Sequence, residues 1–366
     1  MNDEAVSIPA RGEEAELTIE KVIFGGDGLA RLHERFVVFV PFTAEGDRVR
    51  ARITERKAHH ARAEVVELLQ PGTGHETPPC PYYAHCGGCQ YQHLTYAEEC
   101  RLKENQVREA FARVGKMPDA PVLPLIASPN PYGYRNRITV HAEEGRIGFR
   151  GVNGRDLVDI RTCALARPEV NAELARLRES RPPDGHYSLR DSTVPPSGFF
   201  QANHDLHDTL RGLIAAALPA RGEALLEGYC GGGFFTEVVA DRFGQVIAID
   251  NDPRTLRDAH RLGLKNVEWR QADVAIVLPD EIRERAGKET AVLLDPPREG
   301  LPVRLTEALG LDPVTHLIYV SCNPATLARD AKMLIHSHEL VSVQPIDLFP
   351  RTAQIECVSV WCRRSL

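Results

Sequence analysis

Two short runs of residues carry the strongest chemical signal in this sequence. The first is Ser321-Cys322-Asn323-Pro324. The apolar stretch from His316 to Val320 reads as a strand, and Pro324 to Leu334 has helical spacing. Cys322 is therefore expected at a strand end and a helix N-terminus, where a thiolate is favoured and can act as a nucleophile. An isolated cysteine is ordinarily a small packed hydrophobe. Its position among four other polar strand ends reverses that preference. The second run is Cys80-x5-Cys86-x2-Cys89, in which Gly87-Gly88 frees the backbone to wrap three thiolates around one centre. Zinc and iron–sulfur sites both take four ligands, so a distant cysteine should complete the set. Cys163 is a better candidate than Cys100, which follows a helical start. Spacing alone leaves zinc and iron equally open.

Two further motifs end apolar strands. Ala224 to Tyr229 leads into Cys230-Gly231-Gly232-Gly233, a turn that lets a ligand approach the backbone at a helix N-terminus. Asp250, at the end of the next strand, is placed to accept hydrogen bonds from ribose hydroxyls. The run is Gly-Gly-Gly-Phe-Phe and not G-x-G-x-x-G, so a dinucleotide is disfavoured. A nucleoside site and a merely structural turn stand at even odds. Asp295-Pro296-Pro297 follows Ala291 to Leu294. Its prolines stiffen the chain and donate no hydrogen bond, so the turn can hold a side chain at a pocket mouth or simply start a helix before Leu301.

The elements that must position these residues fall into three segments. Residues 12–71 read as short strands (Ala15 to Ile23, Phe36 to Val40, Arg48 to Ile53, Ala61 to Leu69) of a small barrel of the oligonucleotide-binding kind. The stretch Gly26-Asp27-Gly28 beside Leu29-Ala30-Arg31 reads as a turn. Residues 72–200 hold the cysteine cluster, a helix near Tyr96 to Val114, and short β runs at Tyr134 to His141 and Arg146 to Phe149. From 201 to 366 strands and helices alternate: helix Phe234 to Arg242, strand Gln245 to Ile249, helix Arg254 to Arg261, strand Val267 to Arg270 and then Asp273. That alternation implies an α/β fold with a mostly parallel sheet, which binds ligands at the carboxyl ends of its strands.

Composition bounds the function class. With 366 residues, two or three domains are expected. Hydrophobic residues at 43% and charged residues at 26% are ordinary for a soluble protein. No apolar run approaches the roughly 18 residues of a membrane helix, and the acidic N-terminus lacks the layout of a secretory signal. A cytoplasmic protein without membrane association is expected, with its nine cysteines reduced. The net charge of −7 argues against nucleic acid, but residues 48–62 hold six Arg or Lys against one Glu. Arg48, Arg50 and Arg52 alternate and would share one strand face, either as a phosphate track or as a solvated edge.

The whole pattern resembles the RNA uracil-5-methyltransferase family with an N-terminal TRAM domain. The likeness runs through Gly28-Leu29-Ala30-Arg31, Val38-Phe39-Val40-Pro41, Cys86-Gly87-Gly88-Cys89-Gln90, Tyr134-Arg135-Asn136-Arg137 and Gly198-Phe199-Phe200-Gln201-Ala202-Asn203. It continues through Tyr229-Cys230-Gly231, Asp295-Pro296-Pro297-Arg298-Glu299-Gly300, Ser321 to Asp330 and Phe349-Pro350-Arg351-Thr352. The resemblance implies a Rossmann-like methyltransferase domain behind an OB-like TRAM barrel and a small iron–sulfur central domain. It implies that Cys322 is the nucleophile and Glu356 the base. It also implies that Gln201, Tyr229, Asp250, Asp273 and Asp295 line an S-adenosylmethionine site. Cys80, Cys86, Cys89 and Cys163 match the set that holds a 4Fe-4S cluster in the ribosomal-RNA branch. The implied partner is RNA, large-subunit rRNA before tRNA, and the chain is expected to be a monomer. Amino-group methyltransferases usually place an aromatic residue after such prolines, and Arg298 there speaks against exocyclic nitrogen chemistry.

The chain departs from the family at four places. Glu227 stands where aspartate is usual, Gly228 adds flexibility, Phe234 replaces a small or polar residue, and Gln354 replaces a histidine. The implied chemistry is thiolate addition to uracil carbon-6, methyl transfer to carbon-5 and removal of the carbon-5 proton, on a base taken out of its stack. A 5-methylcytosine enzyme is the enzymatic alternative, and an iron–sulfur RNA-binding or redox-sensing protein the non-catalytic one.

Overall fold

A computed structural model of the chain describes residues 9–33, 36–192, 201–286, 288–312 and 314–364. The Gly198-Phe199-Phe200 part of one motif lies outside the described residues. The chain divides into two compact units. The first comprises Met1–Lys103, Pro131–Arg190 and Phe349–Ala353; the second comprises Glu104–Asn130, Asp191–Leu348 and Gln354–Leu366.

The first unit opens with five strands: β1 (Glu14–Val22), β2 (Asp27–His33), β3 (Phe36–Pro41), β4 (Arg48–Arg56) and β5 (His60–Gln70). They close into a barrel in the order β1-β2-β3-β5-β4, with β1 also pairing β4. Alternate residues such as Leu17, Ile19, Val38, Val40, Val49, Ala51 and Ile53 fill its interior, as a period of two requires. The glycine stretch that the sequence suggests as a turn divides: the turn lies at residues 23–26, and Asp27 already begins β2. Helix α1 (Tyr96–Arg113) follows, its residues from Glu104 on counted with the second unit, and then β6 (Arg137–Glu143), β7 (Arg146–Arg150), β8 (Leu157–Asp159), α2 (Pro168–Ser180) and β9 (Gly185–Arg190). These strands form an antiparallel sheet in the order β8-β7-β6-β9. One face buries Ile138, Val140, Ile147 and Leu189 together with Val170 and Leu174 of α2.

The second unit alternates as expected. Its elements are α3 (His207–Ala217), β10 (Gly222–Gly228), α4 (Thr236–Val239), β11 (Phe243–Asp250), α5 (Pro253–His260) and β12 (Val267–Gln271). They continue with α6 (Val274–Glu284), β13 (Thr290–Leu294), α7 (Val303–Leu311), β14 (His316–Ser321), α8 (Pro324–Leu334), β15 (His338–Ile346) and β16 (Glu356–Arg363). The expected helix at Phe234 to Arg242 is a single α turn continued by a 3-10 turn at Ala240–Arg242. The sheet order is β12-β11-β10-β13-β14-β16-β15. The first five strands are parallel, and β16 runs antiparallel to both its neighbours. Their near-continuous apolar runs suit strands covered on both faces. Strand order reverses between β10 and β13, and an open α/β sheet binds its ligand in the crevice at such a point.

Candidate active site

Five expected site residues lie at the carboxyl ends of successive parallel strands: Tyr229 after β10, Asp250 on β11, Asp273 after β12, Asp295 after β13 and Cys322 after β14. Gly228 and Asp295 meet at the switch point, where the Asp295 N–H reaches the Gly228 carbonyl at 3.4 Å. Tyr229 has a positive φ of 63°, a strained left-handed conformation for a non-glycine residue. The glycine turn follows it directly. Asp250 braces that turn: its Oδ2 accepts from the Gly231 N–H at 2.9 Å and its Oδ1 from the Asp252 N–H at 2.8 Å. A Cβ on Gly231 or Gly232 would meet nothing within 4 Å, so the turn faces open space. Burial raises the Tyr229 phenol to about 12, with a further push from the Asp273 carboxylate, which places those two side chains in one neighbourhood. Asp273 also caps α6, its Oδ1 accepting from the Ala275 N–H at 2.8 Å. Gln201 is buried, and its carbonyl accepts from Nε2 of His207 at 2.8 Å.

Glu356 is brought in by topology. It is the first residue of β16, whose Cys357 pairs with Ser321, the last residue of β14. Cys322 and Glu356 are therefore the next positions of that ladder, and the Cys322 thiol feels the Glu356 charge. Glu356 is 4% exposed, and burial raises its carboxyl well above the usual range, with Asp295 adding to the rise and Arg298 opposing it. Asp295 is raised by burial as well.

Burial pushes the Cys322 thiol up to about 11, Glu356 and Asp295 raise it further, and Arg298 opposes them, so these neighbours work against the thiolate expected at the start of α8. The Ala325 and Thr326 N–H groups at the start of α8 are taken by Oδ1 of Asn323, at 3.0 and 3.5 Å, instead of by the sulfur. The exposed Arg298 is thus the cation that acts on both Cys322 and Glu356.

Two residues missing from the expected site belong to its floor. Glu227 is 1% exposed, accepts from Oγ1 of Thr236 at 2.6 Å, and is raised to about 8 by burial with help from Asp295 and Asp250. Its signal in the sequence is a carboxylate at the end of an otherwise apolar strand. Gly228, expected to add flexibility, is instead fixed by packing. A Cβ there would come within 2.8 Å of Val274, 2.9 Å of Leu294 and 3.2 Å of Leu278.

In the first unit, Cys80, Cys86, Cys89 and Cys163 are all half-buried free thiols. Burial raises Cys86, Cys89 and Cys163; Cys86 also feels Cys163 and Cys80, and Cys89 feels Cys163 and Cys86. The Arg135 guanidinium lowers Cys89 and Cys163. The four thiols therefore form one electrostatic neighbourhood beside a cation, a donor set that fits a thiolate-bound group in kind. Among the described residues, no group of three His, Cys, Asp or Glu is arranged to hold a metal ion. Cys100 lies within α1.

The basic strand of the barrel, open to both readings in the sequence, is charge-paired. Arg48, Arg50 and Arg52 do share an exposed face, but each is paired across the barrel. Arg48 reaches Glu16 at 3.4 Å, Arg50 reaches Glu14 at 3.5 Å and also Glu67, and Arg52 reaches Glu14 at 2.9 Å and Glu64 at 3.4 Å. The cross-strand glutamates neutralise what reads as a bare basic strand.

Comparisons with known proteins place this geometry. The family described as TRAM domain matches residues 10–66, over the barrel. The family described as tRNA (Uracil-5-)-methyltransferase matches residues 280–364, which include Asp295, Arg298, Cys322 and Glu356. An RNA methyltransferase of Bdellovibrio bacteriovorus is 29% identical over 98% of this chain and 97% of its own. The 23S rRNA (uracil(1939)-C(5))-methyltransferase of Acidithiobacillus ferrooxidans is 28% identical over 95% of this chain and 97% of its own. The tRNA (uracil(54)-C(5))-methyltransferase of Schizosaccharomyces pombe is 28% identical over 95% of this chain and 78% of its own. The fold is that of the Pyrococcus abyssi tRNA (uracil-54, C5)-methyltransferase, solved with S-adenosyl-L-homocysteine. Its TM-score is 0.71 at 20% identity, over 95% of this chain and all of that one. No helix among the described residues is long and apolar enough to cross a membrane. The barrel thus coincides with the TRAM match, the polar strand ends from Asp295 to Glu356 fall within the tRNA (Uracil-5-)-methyltransferase match, and the chain is similar along nearly its whole length to RNA uracil-5-methyltransferases.

Proposed function

We propose that this protein methylates carbon-5 of a uridine in large-subunit ribosomal RNA through a covalent Cys322 adduct. The observation that carries the reading is the facing of Cys322 and Glu356 one step beyond the Ser321–Cys357 pair, with Asp295 and Arg298 acting on Glu356 and Cys322 alike. Carbon-5 of uracil is too weak a nucleophile to attack a methyl group unaided. The Cys322 thiolate adds to carbon-6, and the ring electrons move to an enolate that makes carbon-5 nucleophilic. S-adenosylmethionine supplies the electrophilic methyl when bound, and its leaving group departs as S-adenosylhomocysteine. The Glu356 carboxylate then takes the carbon-5 proton, the enolate re-forms, and elimination returns the thiolate and releases 5-methyluridine. Burial raises both the Cys322 thiol and the Glu356 carboxyl, so each must pass its proton to solvent before it acts, the thiol ahead of addition and the carboxyl ahead of taking the carbon-5 proton. The Arg298 guanidinium, and a cationic cosubstrate, favour that loss.

Gln201, Tyr229, Asp250, Asp273 and Asp295 are assigned to the S-adenosylmethionine site. The open glycine turn between Tyr229 and the Asp250 brace supports this. Cys80, Cys86, Cys89 and Cys163 are assigned as the ligands of a 4Fe-4S cluster. A cubane binds one thiolate per iron, so it does not need the close ligand set that a single ion demands. Such a group would cross-link the stretch from Cys80 to Cys89 with Cys163 and supply one-electron redox chemistry. The chain is read as a TRAM barrel over 12–71, a cysteine-bearing central domain over 72–200 and a methyltransferase domain over 201–366.

Relatives with the same fold act on rRNA and on tRNA, so the experiment must separate the two. Purified protein is given labelled S-adenosylmethionine with protein-free large-subunit rRNA or unmodified tRNA, and the product nucleosides are analysed. Label in 5-methyluridine from rRNA is expected. Efficient labelling of tRNA with none in rRNA would overturn the substrate, and 5-methylcytidine would overturn the base.

A further inference from the structure

The helix that starts just after Cys322 grips the segment that carries Arg298. Four α8-region side chains reach the backbone of residues 298–301. Nδ2 of Asn323 donates to the Arg298 carbonyl at 3.2 Å, and Oγ1 of Thr326 shares its one proton between that carbonyl at 3.2 Å and the Asn323 carbonyl at 3.1 Å. Nη2 of Arg329 donates to the Glu299 carbonyl at 2.9 Å, and Oδ2 of Asp330 accepts from the Leu301 N–H at 2.8 Å. The same Asp330 oxygen accepts from the Tyr319 hydroxyl on β14 at 2.9 Å. Gly300 has a φ of +79°, and a Cβ there would lie 2.6 Å from Asp330, so this grip leaves room for glycine alone.

Asn323 is the member with two tasks. Its Oδ1 caps α8 and its Nδ2 holds Arg298, and the chemistry of its partners fixes that orientation, because one end faces N–H groups and the other a carbonyl. One amide thus spans from the residue next to Cys322 to the backbone of Arg298. The Arg298 side chain is exposed.

We propose that Asn323 is a positioning residue for methyl transfer, setting the distance between Cys322 and the Arg298 guanidinium through its hydrogen bond to the Arg298 carbonyl. The inference rests on Cys322 being the nucleophile. Thr326 supplies the second donor to the same carbonyl, so the pair Asn323 and Thr326 defines the tie.

The test separates the tie from the cap. Serine is as good an N-cap as asparagine but is too short to reach Arg298, so Asn323→Ser removes the tie without adding charge. Thr326→Val removes the other donor. The full-length protein is assayed for thermal melting, for kcat and KM on RNA, and for the pH profile of Cys322 alkylation by iodoacetamide, read on the Cys322 peptide. The charged groups facing that sulfur are Glu356, Asp295 and Arg298. The double variant is expected to melt near wild type and to keep its KM. Its kcat should fall on the order of tenfold to a hundredfold, as for a small misplacement of a catalytic group, and its Cys322 alkylation midpoint should move to higher pH. Wild-type kcat with an unmoved profile overturns the inference, as does lost activity that merely follows lost stability. Methylation retained by Cys322→Ala overturns the nucleophile reading itself, whatever the Asn323 variants do.

Discussion

Cys322 and Glu356 stand opposite one another at the ends of neighbouring antiparallel strands, one step beyond the Ser321–Cys357 pair. Antiparallel pairing in an otherwise parallel sheet is what makes this possible, because β16 begins where β14 ends. A sixth parallel strand would have begun at the opposite edge. The proposed base and nucleophile thus come from positions distant in the chain but share one end of one sheet.

Glu227 should make stability depend on pH. Its folded value is raised to about 8 against an ordinary 4.5. The folded state therefore holds a proton that the unfolded state has lost. The stability this contributes is fully present below about pH 4.5 and is lost as pH rises through about 8. Glu227→Gln should flatten that loss. Urea unfolding of both proteins at pH 5 and 8.5 checks it: the variant should gain on wild type at the higher pH. Equal differences at the two pH values would show that Glu227 keeps its charge.

Gly228→Ala should be costly although the change is a single methyl. The added Cβ meets Val274, Leu294 and Leu278 inside van der Waals distance, and overpacking of this kind costs about 1–3 kcal/mol. Denaturation should show a lower midpoint with an unchanged slope. A variant as stable as wild type would mean that the three side chains yield freely.

Anaerobically purified protein should be brown and carry about four irons and four sulfides per chain, as a Cys-held cubane requires. Cys163→Ser should lose or weaken the cluster, whereas Cys100→Ser should leave it. Stoichiometric zinc without iron would contradict the assignment.

Replacing Arg48, Arg50 and Arg52 together by Ala should change RNA binding little. Each arginine already faces Glu14, Glu16, Glu64 or Glu67, so few counterions are released when RNA binds there. The slope of log affinity against log salt should fall by less than one, where three bare phosphate contacts would remove about 2.7. A fall near that larger value would show that the arginines leave their glutamates for RNA.

These cases show where the sequence was informative. The strand–helix alternation, α8 and the polar strand ends were legible because local apolar periodicity and the Asn-Pro helix start specify them. The partners of Arg48, Arg50 and Arg52 were not, since they lie on β1 and β5 and depend on barrel closure. Glu356 looks like any acid ahead of an apolar strand; the family resemblance marked it, and only the β14–β16 ladder gives the physical reason. The burial and partners of Glu227 and Asp330 were not legible for the same cause: a buried carboxylate is identified by what surrounds it, and the surroundings come from distant segments.

The covalent step is tested most directly with Glu356→Gln, incubated with S-adenosylmethionine and substrate RNA and then resolved under denaturing conditions. Addition and methyl transfer remain open to this variant, while removal of the carbon-5 proton does not. The account predicts a denaturant-resistant protein–RNA adduct whose mass includes the transferred methyl, and which vanishes when Cys322→Ala is added. Normal turnover by Glu356→Gln without any adduct would contradict it.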